Sequence, residues 1–264
     1  MSRITEVFSN LEDKGEGALI GYLTLGDPDL KSSKELLKCL ARNVDILEIG
    51  IPFSDPIADG PTIQAAMERA LKSGVNTSEA FETVEELREN GIDTPFVFMT
   101  YYNIVLQYGE EAFVKKCSEA GVDGLLVSDL PLEESERIVR LCKNYGVDHI
   151  FLIAPTTPAE RAKRIIANSH GFIYLVSLLG VTGERENVEK RTLEIVKSTL
   201  RLTGPLPIVV GFGVSKKEHV EAIIDAGARG VVVGSAFVSI VAMHGQNACR
   251  ELERLSKELK EGTR

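Results

Sequence analysis

Short runs of aliphatic and β-branched residues recur along the chain. Each is followed by a longer stretch whose apolar positions return every three or four residues. The runs are Ala18–Thr24, Val44–Gly50, Pro95–Tyr101, Gly124–Ser128, His149–Ile153, Phe172–Ser177, Pro207–Val210 and Gly230–Val233. Their near-continuous apolar character predicts strands covered on both faces, as in a parallel sheet. Glu133–Asn144 sets Ile138, Leu141 and Cys142 at helical spacing. Ser215–Ala226 sets Val220, Ile223 and Ile224 behind a Ser215 N-cap and Glu218, the pattern of a capping box. Eight strand–helix units predict a single (β/α)8 barrel of the TIM class over residues 1–264; an open doubly wound sheet is the competing fold.

Finer features add to this picture. The residues before Gly15 read as an extra N-terminal helix capping the barrel floor. Ala120–Val127 echoes Ala226–Val233, which would be the entries to strands four and eight, on opposite sides of a ring. The same strand-entry problem answered twice would give the same echo. Glu251–Lys260, with Glu253 and Lys257 at i,i+4, reads as a solvated helix face.

Composition narrows the function classes. A chain of 264 residues suits one such barrel, and no linker divides it. Trp is absent, so aliphatic packing must dominate. A net charge of -9 without a basic cluster excludes nucleic acid and anionic membrane surfaces as expected partners. No apolar run approaches the ~20 residues of a membrane span, and the N-terminus lacks an apolar leader, so a cytoplasmic protein is expected. Cys39, Cys117, Cys142 and Cys249 form no close pair in sequence; free thiols acting as small core hydrophobes are expected. His149, His170, His219 and His244 lack ligand spacing, and no metal is expected.

The candidate chemistry gathers where strands end. Glu48 interrupts an apolar strand, where an unpaired carboxyl is costly and tends to keep its proton. A structural Glu paired to a nearby cation is the alternative. The loop that follows, Ile51–Thr62, is stiffened by Pro52, Pro56 and Pro61, with Pro61 placed to start a helix. It presents Asp55 and Asp59 just beyond Glu48. Gly211-Phe212-Gly213 follows strand seven and Gly234-Ser235-Ala236 follows strand eight. Barrels often bind phosphate in these two loops, through backbone N–H groups and helix N-termini; ordinary turn glycines are the alternative. Leu178–Asn187 suits a mobile lid or a plain surface loop.

These motifs together resemble the tryptophan synthase alpha subunit family. The stretch 47–64, LEIGIPFSDPIADGPTIQ, carries the resemblance. Thr24–Pro28, Gly180–Gly183, Gly211–Gly213 and Gly234–Ala236 follow the family's pattern in order, so the likeness covers essentially the whole chain. It implies retro-aldol cleavage of indole-3-glycerol phosphate to indole and glyceraldehyde 3-phosphate. Glu48 would protonate indole C3, and Asp59, on a wetter loop, would accept the N1 proton and hold the cationic intermediate. Tyr174 and Thr182 would support the two carboxylates. Gly183, Gly213, Gly234 and Ser235 would bind phosphate, and Tyr22, Met99, Leu126, Phe212 and Val232 would line the indole pocket. The resemblance also implies an alpha2beta2 complex with a beta subunit, which carries the pyridoxal phosphate; no cofactor is expected in this chain. Ser54, Asp55, Pro56 and Asn103 would face that partner.

Two departures stand out. Tyr22 replaces the more frequent Phe, and Leu178-Leu179 replace Arg and a small residue. A stand-alone lyase releasing indole would use the same residues, a non-catalytic activating subunit would not need them, and other phosphosugar barrels lack the 47–64 motif.

Overall fold

The structure, a computed structural model, describes residues 2–176, 185–211 and 213–264. The chain runs α1 (Arg3–Lys14), β1 (Ala18–Thr24), α2 (Leu30–Ala41), β2 (Ile46–Gly50), α3 (Pro61–Lys72) and α4 (Thr77–Glu89). It continues through β3 (Phe96–Thr100), α5 (Tyr102–Tyr108), α6 (Glu110–Ala120), β4 (Gly124–Val127), α7 (Glu136–Tyr145) and β5 (Asp148–Ile153). Then come α8 (Ala159–Ala167), β6 (Ile173–Val176), α9 (Arg185–Thr203), β7 (Ile208–Gly211), α10 (Lys217–Asp225), β8 (Gly230–Val233), α11 (Ser235–His244) and α12 (Cys249–Glu261). The strands pair in parallel, in sequence order, and β8 closes on β1, so the sheet is a barrel and not an open wound sheet. No described helix is long and apolar enough to cross a membrane.

Strand register decides which side chains point inward. Tyr22 lies level with Glu48, Glu48 with Val97, and Gly50 with Met99. Met99 in turn is level with Leu126, and Val232 with Ile20. Residues two apart share a face, so Tyr22, Glu48, Met99, Leu126 and Val232 all face the barrel interior. The floor is closed by α1. Ile4 and Phe8 are buried, and a side chain at Gly124 or Gly171 would press on Ile4. Small residues in the lowest layer thus make room for the expected N-terminal helix.

Four local readings need correction. First, α10 begins at Lys217; its N-cap is Lys216, with no side-chain cap, so Ser215 and Glu218 form no capping box. The capping box present is Asn76 with Glu79 at the head of α4. Second, the Glu133 helix is split, a 3-10 turn at Leu132–Glu134 preceding α7. Third, Arg185–Asn187, expected in a loop, open α9; residues 177–184 lie outside the described residues. Fourth, α12 is no mere solvated face. It buries Leu252, Leu255 and Leu259, and its surface ion pairs run from Arg254 to Glu251 and Glu258.

The cysteines supply a further correction. Cys39 of α2 and Cys249 of α12 form a disulfide, with Cα atoms 5.9 Å apart and 210 residues between them in sequence. Cys117 and Cys142 are free and buried, as expected. Sequence spacing hid the pair because β1 and β8 become neighbours only when the ring closes. Lys260 strengthens the same seam, donating to the Gly17 carbonyl and to Asp45, which also accepts the Leu19 N–H. On the chain-entropy account, closing so long a loop stabilises the fold by up to about 5 kcal/mol.

At the entries to β3 and β4, Arg88 of α4 ties four segments together. It donates to the carbonyls of Ile92, Thr94 and Gly121 and to the Asp123 carboxylate, and lies over the Phe96 ring. Asp123 also accepts from Arg3 and from the Phe96 N–H. Truncation would leave a buried carboxylate and several carbonyls short of partners. Arg88→Ala should therefore lower unfolding free energy by about 3–5 kcal/mol in urea titrations. A loss below about 1 kcal/mol would show that this network carries little of the fold's stability.

Candidate active site

Glu48 occupies the middle of β2 and is only 2% exposed. Neither carboxyl oxygen has a hydrogen-bond partner among the described residues. Burial, and then the charge of Asp59, push its pKa up to about 8. The group therefore keeps its proton at neutral pH, and no cation among the described residues offsets it, so the alternative of a structural ion pair finds no partner there.

Asp59 sits at the end of the proline-braced loop, immediately before α3, which starts with Pro61 at its first position. The loop was expected to be wetter than the strand, yet Asp59 is only 9% exposed. Burial raises its pKa, and a hydrogen bond from the Tyr101 hydroxyl opposes that rise. That bond is 2.5 Å long, and the same oxygen accepts the Ala58 N–H at 3.1 Å. The Phe53 ring stacks on Tyr101 with centroids 5.0 Å apart, and Gln64 donates to the Asp59 carbonyl. The loop is thus fixed at both its backbone and its carboxylate. Tyr101 was not singled out from sequence. Its only signal was its place at the end of β3, since a tyrosine closing an apolar strand looks like packing.

Two tyrosines cover the interior around Glu48. The Tyr174 hydroxyl occupies the space a side chain on Gly211 would need, and the Tyr22 hydroxyl does the same over Gly50. Both are buried. Met99, Leu126 and Val232, also buried, add apolar side chains to the same interior face, the kind of lining an aromatic ligand fits.

The phosphate candidates meet the geometry unevenly. Gly234 caps α11 and Ser235 is its first residue, so the unpaired N–H groups of that first turn lie at the end of β8. Gly213 has φ 78, in the region only glycine enters freely. It leads to no immediate helix start, since α10 opens at Lys217. Thr182, Gly183, Phe212 and the Leu178-Leu179 pair lie outside the described residues.

Ser54, Asp55 and Asn103 are exposed and Pro56 is half-buried. Sequence reasoning missed their apolar neighbours: Ile57 is 83% exposed and Leu106 52%. A cleft of about 390 Å³, lined by Asn76, Ser78, Asn103, Ile104 and Tyr108, opens beside them.

Comparison with known proteins agrees with this geometry. Residues 8–264 match the family described as "Tryptophan synthase alpha chain". The tryptophan synthase alpha chain of Methanocaldococcus jannaschii is 51% identical, over 92% of this chain and 85% of that protein. That of Methanosarcina barkeri is 48% identical over 98% and 97%. The structure is similar to a chain in a structure of the tryptophan synthase a2b2 complex from Pyrococcus furiosus, with a TM-score of 0.88, 45% identity and coverage of 92% of this chain and 98% of that one. A barrel with two buried acids at this place and a match over nearly its whole length leave one assignment: the chain belongs to the tryptophan synthase alpha chain family.

Proposed function

We propose that this chain cleaves indole-3-glycerol phosphate to indole and glyceraldehyde 3-phosphate. The observation that carries the reading is the pair of buried carboxyls held in different states: Glu48 without a partner, Asp59 bound to the Tyr101 hydroxyl. Glu48 gives its proton to indole C3, and Asp59 faces the positive charge that then spreads to N1. The C3–glycerol bond breaks with its electron pair returning to the ring. The hydroxyl on the departing carbon loses its proton to the Glu48 carboxylate and becomes the aldehyde, which restores the acid. Gly213, Gly234 and Ser235, with Gly183, would anchor the phosphate, and Tyr174 and Thr182 would support the acids. Proton transfers suffice for this chemistry, so it calls for no cofactor in this chain; pyridoxal phosphate belongs to the beta subunit. A cytoplasmic setting goes with the reading.

Incubating the protein with indole-3-glycerol phosphate and assaying indole tests the activity. Glu48→Gln should cut turnover by about 10²–10⁴, the usual worth of a positioned acid/base, while a phosphorylated substrate analogue still binds. Wild-type activity should fall as pH rises past about 8, where Glu48 loses its proton. Turnover by the variant within a few-fold of wild type would remove Glu48 from the mechanism.

The partner reading rests on the exposed Ile57 on the loop that fixes Asp59. A beta subunit docking on Ser54, Asp55, Pro56 and Asn103 would bear directly on that acid, and small displacements of a catalytic group can cost about 10²-fold in rate. Beta subunit should therefore raise turnover. Asp55→Ala should blunt that activation far more than it lowers the rate without partner, as followed by indole formation during a beta-subunit titration. Identical activation curves would show that the loop does not carry the coupling, and full activity alone would favour a stand-alone lyase.

A further inference from the structure

The Tyr22 ring bridges two parts of the site. A side chain on Gly234 would touch one edge of the ring, with its Cβ 3.5 Å from Cδ1. The other end carries the hydroxyl over Gly50, two residues beyond Glu48. Tyr22 and Glu48 stand level on neighbouring strands, and both face the interior. The ring therefore spans from the start of α11 to the end of β2, the strand that carries the acid.

Hydrogen-bond accounting then leaves a proton to spare. The Tyr22 hydroxyl and Thr24 Oγ1 are 3.2 Å apart, both buried, and this is the one hydrogen bond either side-chain oxygen makes among the described residues. Two hydroxyls bring two protons, and one contact uses one. A buried donor left over is costly. Glu48, level with Tyr22 on the neighbouring strand, also has both oxygens without a partner among the described residues. Burial and the nearby charge of Asp59 raise Tyr22 well above the ordinary phenol range, so its hydroxyl stays a donor at neutral pH.

Resting on the proposed cleavage, we infer that Tyr22, backed by Thr24, binds the substrate hydroxyl on the carbon whose bond to the ring breaks. A hydroxyl group there accepts the spare proton of the Tyr22–Thr24 pair and directs its own proton at Glu48. It thereby pairs the spare donor of the Tyr22–Thr24 pair and one oxygen of Glu48 at once. Tyr22 is then a substrate-positioning residue and not only a wall of the indole pocket.

The test compares wild type with Tyr22→Phe, which keeps the ring and removes only the hydroxyl. Two ligands separate the contributions: indole-3-glycerol phosphate, and the deoxy analogue in which an unsubstituted three-carbon chain joins indole to phosphate. The variant should lose about 10- to 100-fold in kcat/KM, mainly in kcat, and bind the deoxy analogue within about twofold of wild type by calorimetry. Thr24→Val should show a smaller loss of the same kind. Turnover of Tyr22→Phe within about twofold of wild type overturns the inference, as does an equal loss for both ligands. If wild type itself, with beta subunit present, forms no indole, the functional reading falls and this inference with it.

Discussion

Glu48 holds its carboxyl group inside an aliphatic barrel, where ionising it costs on the order of 5 kcal/mol more than in water, the equivalent of its rise from the ordinary value of 4.5 to about 8. Nothing in the fold relieves that cost, since neither oxygen has a partner among the described residues. The sign of the effect is clear. An acid whose pKa is higher when folded contributes less to stability as pH rises from about 4.5 through about 8. The barrel therefore has to be held by other means, and they lie away from the acid. The Arg88–Asp123 cluster and the Lys260–Asp45 seam both sit toward the strand entries. The stabilising networks lie at one end of the barrel, and the buried acids lie away from them.

Asp59 is handled differently, and that difference makes the pair useful. Both acids are desolvated, but Tyr101 donates to Asp59 alone. One carboxyl is left to keep its proton and the other is helped to lose its own, the arrangement by which two like groups take opposite roles. Crowding in the layer above follows from the same plan. Tyr22 and Tyr174 each lie across a glycine of a neighbouring strand, Gly50 and Gly211. Large rings can close over the site only because those strands end without side chains.

Much of this was legible in the sequence. Continuous apolar runs gave the strands, and an acid standing inside one of them pointed to Glu48 because burial of a lone carboxyl needs a reason. Asp59 and the glycine loops were found from their positions after strands. What escaped was whatever depends on distant residues meeting. Cys39 and Cys249 lie 210 residues apart and pair only once the ring closes. Tyr101 gains its importance from a loop that folds back onto it, and the dryness of Asp59 follows from that same fold-back. The Ser215 cap failed for a local reason: the helix starts one residue later than its pattern suggested, a shift that periodicity does not resolve.

The central claim is that Glu48 is the protonated member of the pair at neutral pH. Difference infrared spectroscopy of wild type against Glu48→Gln, followed across pH, reads that carboxyl directly through its C=O stretch. The account predicts a protonated carboxyl, missing from the variant, that titrates near 8. A Glu48 signal already ionised at pH 6, with the remaining buried proton assigned to Asp59, would contradict it and exchange the roles of the two acids.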